Sequence, residues 1–198
     1  MKRTLITLIL VCLLTLSAGI FAQTAKTPAV KTKPALLVID IQNAFLPYMS
    51  EQDKKFAMEA INYFIALFRQ YGFPVIRIYH SDPMRGPKEG SEEFAFPKSV
   101  AVQDSDPMIV KNFGNAFKKT GLDKMLKEKG VNALFLCGLS STGCVLATYH
   151  GAYDNDYPVF MIQGALIGPE SELTQAVQKI CQTIDYSALK LLLENCRD

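Results

Sequence analysis

The chain has 198 residues, 49% of them apolar, and a formal net charge of +2 at pH 7. That length suits one domain and leaves too little for a second, and the apolar share is ample for a buried core. Near-balanced charge, with no basic run interleaved with aromatics, argues against nucleic acid or an anionic membrane surface as partner.

Met1-Lys2-Arg3 is a short positive region. An apolar run from Leu5 to Leu16 follows, interrupted by Thr7 and Thr15, and then the small residues Ser17, Ala18 and Gly19. This is the pattern of a signal peptide over residues 1–22, cut after Ala22 with Ala18 as the alternative. The apolar core is short for a full span, so the expectation is export to the periplasm or exterior, with no stable membrane span after cleavage. Residues 23–34, rich in Thr, Lys, Ala and Pro, read as a flexible linker. Residues 35–198 form the folded domain.

Ala35 to Ile39 is a continuous apolar run ending in Asp40, the signature of a buried parallel strand. A helix is expected from Glu51 to Tyr71, with Phe56, Ala60, Phe64 and Leu67 on its apolar face. Gly72 ends it and Pro74 opens a strand over Val75–Tyr79. The stretch from His80 to Pro107, rich in Pro, Gly and charge, is a long loop of functional or lid-like type. Met108 to Val110 is a short strand running into Lys111, and Leu122 to Lys129 a helix closed by Gly130. A strand over Val131–Leu136 leads into a turn carrying Cys144, and a helix continues to Tyr153. Pro158 to Ile162 is another strand and a helix starts near Glu170. Thr183 to Asp185 reads as a last short strand and Ala188 to Glu194 as a last helix. Strands alternating with helices specify an α/β fold, a parallel sheet covered on both faces.

Three of these strands lead into reactive side chains: Asp40, Lys111 and Cys144. Each alone has a plain reading, Asp40 as a turn cap, Lys111 as a surface charge, Cys144 as a small buried residue. In a parallel sheet, however, all strand C-termini share one edge, where such sheets bind ligands. Together the three supply a nucleophile, a carboxylate in reach of its proton, and a cation that favours the thiolate. N–H groups in the turn from Ser140 to Cys144 suit an oxyanion. Of the other cysteines left after cleavage, Cys137 lies in a strand run and reads as core. Whether Cys181 and Cys196 pair stays open.

The segment Leu37-Val38-Ile39-Asp40-Ile41-Gln42-Asn43-Ala44-Phe45, the segment Val110-Lys111-Asn112-Phe113-Gly114-Asn115-Ala116-Phe117, and the run Gly138 through Cys144-Val145 together resemble the isochorismatase-like cysteine hydrolase family. The resemblance runs from Ala35 to at least Gly168. It implies a three-layer α-β-α fold, Rossmann-like, with a roughly six-stranded parallel sheet, often assembled as a homo-oligomer. It implies Asp40 as general base and acid, Lys111 as the thiolate-stabilising cation, Cys144 as nucleophile, and the backbone N–H groups of Ser140 and Cys144 as oxyanion hole, with a cis peptide at Leu139–Ser140. The implied reaction is hydrolysis of a C–N bond in a small-molecule amide through a thioester, with no cofactor.

The chain also departs from the family pattern. Ser141 stands where threonine is common, and Thr142-Gly143 replaces a polar-plus-bulky pair. Nicotinamidases of the family bind a metal through an Asp-x-His pair and a further histidine, but no histidine follows Phe45 in Leu46 to Asp53. The two histidines are His80 and His150; one beside the site is a poor metal set, so no metal is expected, and His150 reads as structural. Phe45, Tyr48, His80 and Phe113 are candidate pocket walls, with Arg85 and Lys88 as selectors of an acidic substrate or simply a solvated loop. The competing readings are a metal-dependent nicotinamidase, a non-catalytic binding module that retains the triad, and a redox role for Cys144.

Overall fold

The first apolar run forms strand β1 (Pro34–Ile39) at the centre of the sheet in a computed structural model that describes residues 31–82 and 84–197. The expected signal peptide lies outside the described residues, as does most of the linker. Pro34, the last residue of that expected linker, is instead the buried first residue of β1.

Five more strands join it: β2 (Val75–His80), β3 (Met108–Lys111), β4 (Ala133–Leu139), β5 (Val159–Ile167) and β6 (Thr183–Ile184). All neighbours pair in parallel, in the order β3-β2-β1-β4-β5-β6. Strand residues point alternately to opposite faces, and both faces of β1 are buried. Leu36 and Val38 pack with α1 (Glu51–Gln70) and α5 (Tyr186–Asn195) through Ile61, Phe64, Phe68, Leu189 and Leu193. Ala35, Leu37 and Ile39 pack with α2 (Leu122–Glu128), α3 (Leu146–Asp154) and α4 (Ser171–Ile180) through Leu122, Leu126, Ala152 and Val177. The expected three-layer arrangement follows.

Several boundaries move for physical reasons. β4 continues through Cys137, Gly138 and Leu139, because Gly138 pairs with Ile39 at φ +116° where a Cβ would collide with the Ile39 carbonyl. β5 runs five residues past Ile162 through an irregularity, Leu136 facing Met161 but Gly138 facing Leu166. The apolar face of α1 is Ala57, Ile61, Phe64, Ile65, Leu67 and Phe68; Phe56 is exposed. The long loop expected to be functional or lid-like is anchored. Phe94, Phe96 and Val100 are buried, Tyr79 stacks on Phe94 and Phe96, and Asn43 N–H and Ala44 N–H donate to the carbonyls of Ala95 and Glu93.

Candidate active site

The sheet brings Asp40, Lys111 and Cys144 to one edge. Asp40 follows β1, which with β4 borders the point where strand order reverses. It is 1% exposed and sits at φ +50°, a left-handed conformation that costs a non-glycine residue energy and marks functional positions. Its Oδ2 accepts a 2.7 Å hydrogen bond from Lys111 Nζ, and the lysine side chain is fully buried at the end of β3. Asp40 Oδ1 is also buried and has no hydrogen-bond partner. Such an orphaned acceptor is costly unless it serves a purpose.

Cys144 lies in a turn (Ser141–Val145), kinked at Gly143, between β4 and α3. Gly143 N–H and Val145 N–H both donate to the Ser140 carbonyl, and the Leu139–Ser140 peptide is cis, as the resemblance implies. A carboxylate oxygen of Asp40, a ring nitrogen of His80 and the Cys144 sulfur lie within 4.8 Å of one another. Burial, reinforced by the Asp40 charge, pushes the Cys144 thiol up to about 12, although Lys111 pulls the other way. Lys111 thus acts on the sulfur in the expected direction, favouring the thiolate, but burial outweighs it. Burial also raises Asp40 above the ordinary carboxylate range, against the opposing pull of Lys111. Burial thus opposes charge on both groups, and Lys111 favours it on both.

The supports of this site come from distant segments. Buried Gln42 holds the end of β2: His80 N–H donates to Gln42 Oε1 at 2.8 Å, and Gln42 Nε2 donates to the carbonyls of His80 at 3.0 Å and Phe94 at 2.9 Å. Ser141 turns away from the edge to share a 2.7 Å hydrogen bond with Thr174 of α4, both hydroxyls buried. Thr148 Oγ1 accepts from Ala116 N–H at 3.1 Å, joining α3 to the lysine segment. Gln42 and Ser141 stand in the motifs, but nothing local in the sequence reveals their partners.

The candidate wall residues separate. His80 joins the cluster, its ring 6.1 Å from that of Phe45. Phe45 and Tyr48 line a surface cavity of about 450 Å³ with Arg85, Lys88 and Glu93, and Tyr48 is 76% exposed. Phe113 is half-buried under the ammonium groups of Lys118 and Lys119 at 4.4 and 5.6 Å. His150 is exposed on α3, edge-on to Tyr149.

The sequence model described as the isochorismatase domain matches residues 34–182. The chain belongs to the isochorismatase family. YddQ of Bacillus subtilis (strain 168), an uncharacterized isochorismatase family protein, is 31% identical over 136 residues, covering 66% of this chain and 76% of its own. Maleamate amidohydrolase of Pseudomonas putida is 26% identical over 150 residues, covering 66% and 70%. The crystal structure of N-carbamoylsarcosine amidase from Thermoplasma acidophilum shares the fold at TM-score 0.68 and 22% identity, covering 78% of this chain and 95% of that one.

The metal held by some isochorismatase-family enzymes does not fit the donors present here. Among the described residues the His/Cys/carboxylate group close enough to share an ion is Asp40, His80 and Cys144. The Lys111 ammonium already lies 2.7 Å from Asp40 Oδ2 and 3.4 Å from His80 Nδ1. A divalent ion there would face a fixed positive charge at close range in a poorly screening interior.

Proposed function

We propose that this isochorismatase-family hydrolase cleaves the C–N bond of a small amide through a thioester on Cys144. The observation that carries the reading is the buried Asp40 Oδ1, without a hydrogen-bond partner, in a carboxylate close to the Cys144 sulfur and tied through Oδ2 to Lys111.

Asp40 takes the thiol proton as sulfur attacks the amide carbonyl. Lys111 offsets the charge that forms on sulfur, and the backbone N–H groups of Ser140 and Cys144 receive the carbonyl oxygen. Collapse breaks the C–N bond, and the leaving amine carries off the proton held by Asp40. Water then adds to the thioester as Asp40 takes its proton. Collapse breaks the C–S bond, the acid product leaves, and the proton held by Asp40 returns to sulfur, restoring the enzyme. The raised thiol favours this concerted transfer over a standing thiolate.

The reading includes export and homo-oligomeric assembly, supported by the composition of residues 1–22 and by the family resemblance. Nicotinamidase chemistry that depends on a metal is disfavoured by the Lys111 contacts. Release of ammonia or amine from a panel of small amides tests the proposal. Cys144→Ala should abolish hydrolysis of every substrate the parent enzyme cleaves; undiminished turnover in that variant would refute it.

A further inference from the structure

His80 lies where the site meets its most polar crowding. It ends β2, directly paired in register with Lys111 of β3. Gln42 grips both its N–H and its carbonyl, so its backbone is fixed relative to Asp40 two residues upstream of that glutamine. Its Nδ1 lies 3.4 Å from Lys111 Nζ. An ammonium has three N–H donors and no acceptor. In a fully buried lysine, each donor left without a partner is costly. Asp40 Oδ2 takes one donor. His80 Nδ1 is the natural acceptor for another.

We infer that His80 is a positioning residue: as a neutral imidazole in the Nε2–H tautomer it accepts a hydrogen bond from Lys111 and so aims the ammonium between Asp40 and the sulfur. The inference rests on the reading of Cys144 as nucleophile, but its first test does not need a substrate.

Without that acceptor, the ammonium is free to turn wholly onto Asp40, which weakens the base and withdraws charge from the sulfur. Protonation of His80 has a related effect, because Nδ1 becomes a donor and faces a like charge. The groups facing the ring are Lys111 from β3, Asp40 beyond β1, Cys144 from the turn and Asp82 from its own loop. Burial and the Lys111 charge together hold the imidazole below its ordinary value, against Asp40 and Asp82. The ring therefore stays neutral at neutral pH and charges only on acidification.

The full chain has two histidines, so long-range proton–nitrogen NMR of the imidazoles is simple to assign with His150→Gln. The expected spectrum shows His80 as the Nε2–H tautomer, titrating below the ordinary histidine value. An Nδ1–H tautomer, or an imidazolium at neutral pH, would overturn the inference. Two substitutions supply the kinetic arm. His80→Phe should lower kcat, with KM little changed, by on the order of tenfold to a hundredfold, the effect of losing one hydrogen bond to a charged group. His80→Asn, whose side-chain oxygen replaces Nδ1 as acceptor, should recover most of that loss and move the acid limb of kcat/KM. If His80→Asn shows the parent acid limb and is no more active than His80→Phe, the positioning role is wrong. If His80→Phe does not fold, the tautomer and the acid limb of His80→Asn still decide. Loss of the NMR signature with Cys144-dependent hydrolysis intact would sink this inference alone; the signature with hydrolysis that survives Cys144→Ala would sink the proposed mechanism instead.

Discussion

At the scale of single residues, Asp40, Lys111 and Cys144 were legible because each stands where an apolar run stops, and a parallel sheet gathers such ends. The effect of burial was not legible: Lys111 favours the thiolate, as its place suggested, yet burial outweighs it and the thiol is pushed up to about 12 from an ordinary value of 9.0. Buried Cys137, hydrogen-bonded to the Leu37 carbonyl at 3.5 Å, is raised for the same reason. The native state thus keeps protons that the unfolded chain releases once pH passes the ordinary thiol value. Stability should therefore decline as pH rises above about 9, by roughly 1.4 kcal/mol per pH unit for each such thiol. Urea unfolding at pH 8 and pH 10 checks this. The decline should be shallower in Cys144→Ala, and equal slopes would count against a protonated resting thiol.

At the scale of elements, apolar runs located all six strands but mistook the extent of two. Gly138 interrupts the apolar pattern of β4 and looks like a strand end, although it is there because β1 passes too close for a side chain. Gln163 and Gly164 similarly mask the second half of β5, where Gly164 takes φ +78°. Phe56 misled the reading of α1 because helical spacing admits neighbouring faces; the true face is centred on Ile61 and Ile65. Ser141 and Gln42 were invisible as supports, since Thr174 and His80 lie 33 and 38 residues away. Gly138→Ala should destabilise the fold by about 3 kcal/mol or more, combining backbone strain with overpacking against Ile39. A urea midpoint close to that of the parent chain would show that β1 and β4 can part without cost.

At the scale of the molecule, the parallel order β3-β2-β1-β4-β5-β6 puts the ends of β1, β2 and β3 and the turn after β4 around one site. The long segment after β2, rich in Pro, Gly and charge, reads from sequence as functional or lid-like. Its buried Phe94, Phe96 and Val100 and its hydrogen bonds to Asn43 and Ala44 make it part of the frame instead. Composition does not distinguish a loop that swings from one that packs, because three apolar residues suffice to anchor it. The family was readable from three short motifs, whereas the substrate was not, since its walls come from loops whose contacts depend on the fold. The central claim is that an acyl group passes through Cys144. Rapid acid quench during turnover of a cleaved amide, followed by intact-mass and peptide mass spectrometry, tests it most directly. The expected result is an adduct of the acyl mass on the peptide bearing Cys144, absent in Cys144→Ala; steady hydrolysis with the acyl group on another residue, or persisting in Cys144→Ala, would contradict it.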